Sequence, residues 1–490
     1  MRYTTLSAAL AVVMLSGAGD RLGAQAPSRP APPADSVPLT LEEAVVRALR
    51  TGDEVRLAAA QVEAADEQAN VARASALPQL RLTSSYSHVF ENARAQAVGS
   101  IFNQPNTYVS NLNLSQTVFQ GGREWSAIRA ASHNRDALRF SAEETRSQVA
   151  LDVQRAYFTA LFADRVVAIR QTDVQLAGAR LTQVEQFQTA GRAARYDVLR
   201  ARVERANLEP LLIQAENDRD IAHLNLKRLI NVPPDRPVKL TSRLDSAVVT
   251  TLAQQVSEDS SGGARRPRVR AAELSARARR DAIGVARADL LPTVSVFFQS
   301  GYQAFPAGNS LPRGFGQLQP IDCAPGTPTG RTCTLQNGGW FADRQLGVQL
   351  SWALFDGLRT KSNIDLAQAQ AKVAELQLAQ EREAVALEVE TARAELARAR
   401  SLYEARRTNV AEADEAFRLA SLRYSRGLST QLEVSDAQLQ LMTAQIDEAR
   451  ATYDLYISSA ELARALGRPV PLPSGGLVPT RPSSLGSRNE

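Results

Sequence analysis

Cysteine, histidine and methionine are nearly missing from this 490-residue chain, which has two, three and three of them. His88, His133 and His223 are scattered, and Met442 is the one methionine outside the N-terminal segment, so a metal site is poorly served. There is no His-Cys cluster, no Gly-rich phosphate loop ahead of a helix, and no credible arrangement of Ser, His and Asp. The sequence therefore offers an enzyme no support and calls for no cofactor. Beyond the N-terminus no stretch reaches the roughly 18 apolar residues of a membrane helix. Charge of one sign is also scarce: the net +5 is spread among Arg and Glu along helical stretches. Such solvated faces do not make a nucleic-acid footprint. Glycine and proline cluster in a few places, which leaves unusually long uninterrupted helical runs.

The N-terminus has Arg2, an apolar run from Leu6 to Leu15, then small residues through Ala24, Gln25 and Ala26. This is the outline of a secretory signal peptide over 1–26, with Ala26 and Ala24 as alternative cleavage points, followed by a Pro-rich segment, 27–38. No cysteine near it serves as a lipid attachment point. In an exported chain, Cys323 and Cys333, ten residues apart in a Gly and Pro rich segment, read as a loop disulfide, with two free thiols as the alternative.

What is present is a duplication. Phe119-Gln120-Gly121-Gly122-Arg123 returns as Phe355-Asp356-Gly357-Leu358-Arg359, an offset of 236, and Gly191, Val198 and Pro233 return as Gly427, Val434 and Pro469. Between these anchors apolar residues recur every seven positions: Val153, Ala160, Val167, Val174, Leu181, and then Val389, Leu396, Tyr403, Val410, Phe417. The interruption at Arg170 is itself repeated at Arg406. Heptads of this length predict coiled-coil rods over 124–190 and 358–424. Each has 67 residues, which at the helical rise is about 100 Å. Shorter helices are expected over 41–76, 195–229, 268–290 and 430–466. Two short helices placed end to end match one long one, so each repeat would give one continuous and one broken rod.

Before each long helix stand two segments of strict alternation. Leu346, Val348, Leu350, Trp352 and Leu354 occupy one face of the last, opposite Gln345, Gln349 and Ser351. Leu80, Leu82 and Tyr86, then Tyr108, Leu112, Leu114 and Val118, then Val294, Val296, Phe298 and Tyr302 repeat the pattern. Strands are therefore expected at about 79–90, 107–119, 293–303 and 343–355. Aromatic residues toward both ends of these segments fit two interfacial belts, and the apolar faces fit lipid better than a soluble sandwich. The first strand pair follows Leu77-Pro78 and the second Leu291-Pro292 at an offset of 214, so a 22-residue insertion holding both cysteines lies within the second pair. Four strands cannot close a membrane barrel, because barrels need about eight or more and lipid tolerates no open edge. The chain must associate with copies of itself.

These features resemble the TolC-like outer-membrane efflux protein family, from about Leu39 to Pro469. The marks that carry the resemblance are the Leu-Pro strand starts, the turns after Phe119 and Phe355, and two tip motifs. The tips read Gly191-Arg192-Ala193-Ala194-Arg195-Tyr196-Asp197-Val198 and Tyr424-Ser425-Arg426-Gly427-Leu428-Ser429-Thr430-Gln431-Leu432-Glu433-Val434. The resemblance implies a mainly α protein with a membrane β-barrel part: repeats at 39–233 and 268–469, a linker at 234–267, and a tail at 470–490. It implies a homotrimer with a twelve-stranded barrel continuing into a periplasmic helical tunnel. Its partners would be a periplasmic adaptor, an inner-membrane transporter of RND, ABC or MFS type, and outer-membrane lipid. It further implies adaptor contacts at Gly191, Arg192, Arg426, Gly427, Leu428 and Ser429, and a periplasmic gate at Asp197, Tyr424, Glu433 and Asp436. Ser429 stands where the family carries a basic latch residue, which implies either a more weakly held closed state or Arg426 or Arg195 as its substitute. The rival reading is an exported coiled-coil scaffold without a pore, which leaves four half-apolar strands unexplained.

Overall fold

The computed structural model describes residues 37–91, 93, 97, 105–242, 251, 253–254, 266–306, 311–312, 314–315, 318–321, 333–336 and 339–470. The signal segment and Cys323 lie outside the described residues, and with Cys323 the expected disulfide. In chain order the elements are β1 (Val37–Leu39), α1 (Leu41–Thr51), α2 (Asp53–Ala74), β2 (Gln79–His88), β3 (Asn106–Gln120), α3 (Arg123–Thr189) and α4 (Arg195–Leu229). After these come β4 (Val238–Leu240), α5 (Pro267–Arg287), β5 (Thr293–Ala304), β6 (Leu318–Ile321), β7 (Cys333–Gln336), β8 (Trp340–Ser351), α6 (Arg359–Ser425) and α7 (Gln431–Ala465).

The long helices α3 and α6 form the frame. Their heptad positions are the buried ones: Val153, Ala160, Val167 and Leu181 on α3, and Val389, Leu396 and Tyr403 on α6. The helices α2 and α4 both pack along α3, and α5 and α7 both pack along α6. Each continuous rod is thus flanked by a broken one. The two halves of the layer are joined where α5 also lies on α3 and α7 also touches α3.

The broken rods meet in one apolar knot. Leu41, Val45 and Leu49 of α1 enter it with Tyr157 and Phe158 of α3, Leu226 of α4, and Leu455 and Tyr456 of α7. The Tyr157 hydroxyl donates to the Leu39 carbonyl at 2.9 Å and accepts from the Ser242 amide at 3.0 Å. This fixes the parallel pairing of β1 with β4, in which Val37 faces Val238 and Leu39 faces Leu240. The linker therefore contributes a strand, Val238–Leu240.

A single helix over 41–76 does not form. It divides at Gly52, whose extended backbone (ψ 134°) ends α1 while its N–H still donates to Ala48. Thr40 and Glu43 cap α1 reciprocally, Glu43 N–H to Thr40 Oγ1 at 3.2 Å and Thr40 N–H to Glu43 Oε2 at 3.0 Å. The insertion is not a bare loop either, since β6 and β7 pair antiparallel within it. The last strand of the main sheet stops at Ser351 rather than 355, and the Trp352 indole N–H turns to the Leu290 carbonyl at 3.2 Å.

The four principal strands form one antiparallel sheet in the order β2-β3-β5-β8. Its register lines up Leu80, Leu114, Phe298 and Leu346 as one row across all four strands. All four are exposed, Leu346 at 73 %. Toward the loop end the next aromatic row stacks Tyr86 on Tyr108 at 4.7 Å, and Tyr108 edge-on to Trp340 at 6.3 Å. The opposite face carries Arg81, Asn113, Gln299 and Gln345 in one row. A sheet with one apolar and one polar face, whose edge strands β2 and β8 are bridged outward only at Trp340 among the described residues, is incomplete by itself. No described helix is long and apolar enough to cross a membrane.

Candidate functional site at the helical tips

At the ends of α3 and α6 farthest from the sheet, the chain reverses twice with the same geometry. In the first reversal Gly191 has φ +72°, its N–H donates to Gln188 at 2.9 Å, and the Arg192 N–H donates to Phe187 at 2.7 Å. In the second, Gly427 has φ +75°, its N–H donates to Tyr424 at 2.9 Å, and the Leu428 N–H donates to Arg423 at 2.9 Å. This is the left-handed helix stop that satisfies the last carbonyls, and an L side chain at the glycine is strained by about 1–2 kcal/mol. The Arg192 guanidinium lies 4.9 Å over the Phe187 ring. Gly191, Arg192, Arg426, Gly427 and Leu428 are exposed and Ser429 is half-buried, so the expected contact residues share one end of the molecule.

The residues expected to form the gate lie just behind these turns. Asp197 caps α4 by accepting the Ala194 N–H at 3.0 Å. It is half-buried, as is Tyr424. Burial first, and then the Asp197 carboxylate, push the Tyr424 phenol above its ordinary value, while Arg180 pulls it down. Asp197 is thus near enough to bear on the ionisation of Tyr424, although no hydrogen bond joins them among the described residues. Glu433 and Asp436 are both exposed on the first turns of α7. The Ser429 hydroxyl donates to Glu433 Oε2 at 2.7 Å and holds that carboxyl below the usual glutamate range. Asp436 accepts from the Gln440 amide at 3.1 Å.

The guanidinium nearest Glu433 belongs to neither Arg426 nor Arg195. Arg423, a turn earlier on α6, approaches Glu433 Oε2 at 3.9 Å and donates to the Leu428 carbonyl at 3.4 Å. Arg195 and Arg426 make no ion pair among the described residues.

A second polar cluster, absent from the sequence reading, pins three helices together a few turns above the tips. Arg180 on α3 is largely buried, and its Nη1 donates to Glu204 Oε1 of α4 at 3.3 Å and to Ser435 Oγ of α7 at 3.0 Å. Its Nη2 donates to Gln438 Oε1 of α7 at 2.7 Å. Ser435 in turn donates to Glu204 Oε2 at 2.9 Å. Burial lowers the Arg180 pKa, against the pull of Glu204 and Tyr424. A guanidinium is suited to this post because its planar fork serves several acceptors at once. The signal for it was available: Asp173 and Arg180 lie seven apart beside the apolar seam, and at the repeat offset they are replaced by Asn409 and Ala416.

Comparison with known proteins agrees with this geometry. The outer membrane efflux protein family matches residues 44–232 and 262–468. Outer membrane protein TolC of Escherichia coli (strain K12) is 24 % identical over 427 residues, covering 84 % of this chain and 79 % of that one. The cobalt-zinc-cadmium resistance protein CzcC of Cupriavidus metallidurans is 23 % identical over 435 residues, 88 % of this chain and 90 % of its own. Among solved structures, the Campylobacter jejuni CmeC outer membrane channel superposes with a TM-score of 0.70 at 16 % identity, covering 87 % of this chain and 85 % of that chain. The outer membrane protein VceC of Vibrio cholerae does so with 0.67 at 20 %, covering 87 % and 96 %. With both repeats matched and the sheet, rods and tips in their places, the chain belongs to the outer membrane efflux protein family.

Proposed function

We propose that this protein is the outer-membrane exit duct of a tripartite efflux or type I secretion system. Substrates handed over by an inner-membrane transporter of RND, ABC or MFS type, through a periplasmic adaptor, would leave through it with no chemistry performed on them. The observation that carries the reading is the open-edged, four-stranded sheet with an apolar outer face, mounted on helices of 67 residues. Three copies of four strands supply a twelve-stranded barrel, within the range of outer-membrane barrels. The flanks of the helical layer support the homotrimer: Leu199, Leu211 and Ile213 on α4, and Leu366, Val373 and Leu387 on α6, are exposed apolar residues awaiting neighbours. The two repeats, 39–233 and 268–469, would then alternate around the axis.

In this reading the tips Gly191, Arg192, Arg426, Gly427, Leu428 and Ser429 meet the adaptor, and Asp197, Tyr424, Glu433 and Asp436 surround the closed periplasmic end. Protein extracted in detergent is expected to conduct ions in planar lipid bilayers, weakly as wild type and more strongly as Asp197→Ala with Tyr424→Phe. Absence of conductance in both would overturn the duct. Extraction by high pH or salt alone would favour the scaffold instead.

A further inference from the structure

Above the tips, residues of α3, α4 and α7 line a cleft of about 420 Å³. That is in the size range of small-molecule sites. Val203 and Leu208 of α4 face Leu439 and Met442 of α7 across it, so its walls are mainly apolar. Asp173 of α3 lines the same cleft and is 6 % exposed. Gln438 hydrogen-bonds the carboxyl, but its Oδ2 has no partner among the described residues.

The neighbouring polar groups are already engaged. Glu204 receives Arg180 on one oxygen and Ser435 on the other. Asp436 receives Gln440. Arg170, whose charge lies near Asp173, directs its Nη1 to the Met442 sulfur at 2.8 Å. Arg200 also lines the cleft but is more open to water than Asp173, so the buried, unfilled acceptor sets what the cleft lacks. A buried carboxylate oxygen without a donor is costly, and such groups are normally satisfied by a partner, a proton or a ligand. Burial does push the Asp173 carboxyl above its ordinary value, against the pull of Arg170 and Gln438. An ammonium group would supply the missing donor and let the carboxylate ionise.

We propose that the cleft between α4 and α7 binds small amphipathic amines, their apolar body between Val203, Leu208, Leu439 and Met442 and their ammonium on Asp173. This goes beyond the duct, since a protein that failed to conduct would still possess the cleft.

The test uses the full-length protein in lipid nanodiscs and a photoreactive probe, trifluoromethyl-diazirinyl benzylamine, beside the corresponding benzyl alcohol. Peptides containing Val203–Leu208 and Leu439–Met442 are expected to be labelled about tenfold more by the amine, the worth of one charge-assisted hydrogen bond. Asp173→Asn is expected to reduce amine labelling to the level of the alcohol. Should that variant fail to assemble, Val203→Trp, at an exposed position that narrows the cleft, must abolish labelling by both probes. Equal labelling by amine and alcohol in the wild type, or amine labelling undiminished in Asp173→Asn or in Val203→Trp, would overturn the site. Conductance recorded on the same preparations judges the duct separately.

Discussion

Arg180 reaches from the first hairpin to the second, and among the described residues it is the one side chain in the tip region seen to join all three of α3, α4 and α7. If the tips part when the duct opens, this link must break. Arg180→Ala is expected to raise single-channel conductance, and Arg180→Lys to give an intermediate value, because one ammonium cannot span three acceptors with the geometry of a guanidinium. Wild-type conductance in Arg180→Ala, alongside raised conductance in Asp197→Ala with Tyr424→Phe, would leave Arg180 a packing residue only. In the proposed gate Glu433 and Asp436 would act by charge rather than by holding. Repeated around a three-fold axis they would make a ring that favours cations. Replacing both by Ala is expected to lower the cation-to-anion permeability ratio, read from reversal potentials. Because the Ser429 hydroxyl holds the Glu433 carboxyl low, that preference should persist through mildly acidic pH and fade only below the ordinary glutamate range. In Ser429→Ala the fade should begin at higher pH.

At the scale of the element, both reversals depend on a left-handed glycine. Gly427→Val places a β-branched side chain at φ +75°. That costs about 1–2 kcal/mol. The local stop should loosen, with the Leu428 amide exchanging its hydrogen roughly tenfold faster. Unchanged exchange would mean that the turn is held by something other than its backbone. These turns were legible from the sequence because they rest on short-range chemistry, glycine at a fixed offset after a heptad run. The strands were legible for the same reason, since Leu346, Val348 and Leu350 state a period of two without help from elsewhere. Elements whose cause is distant were not legible. β1 pairs with β4 some 200 residues away through the Tyr157 hydroxyl, and nothing in Val37-Pro38-Leu39 alone announces it. The Gly52 break is hidden in the sequence because Val45, Leu49 and Val55 keep an apolar rhythm across it. That Arg423 stands beside Glu433 was not legible either, because helix phase, not proximity along the tip, decides which guanidinium faces the second helix.

The whole molecule is held at its middle by charges as well as by the apolar knot. Arg266, just before α5 and only 1 % exposed, donates from Nη2 to Glu144 of α3 at 2.8 Å and from Nη1 to Glu388 of α6. Arg464 of α7 contacts the same two carboxylates, Glu144 at 3.1 Å. Four side chains thus tie both long rods to the segment that joins the repeats. Two cations against two anions balance only while all four are present, so Arg266→Ala leaves carboxylates underpaired in a desolvated place. The expected loss is about 3 kcal/mol, near the low end for a buried pair because Glu388 keeps some contact with water. Burial tends to raise the Glu388 carboxyl, but Arg266 and Arg464 outweigh it and the net shift is downward. A carboxyl lowered on folding stabilises above its unfolded pKa, and that contribution disappears as pH falls through the lower folded value. Thermal unfolding followed by the helical dichroism signal should therefore show a plateau near neutral pH and a decline below the ordinary glutamate range. Glu388→Gln, which cannot titrate, should flatten that decline while lowering the plateau. An identical pH profile in Glu388→Gln and wild type would place the acid sensitivity elsewhere and reduce the quartet to one contact among many.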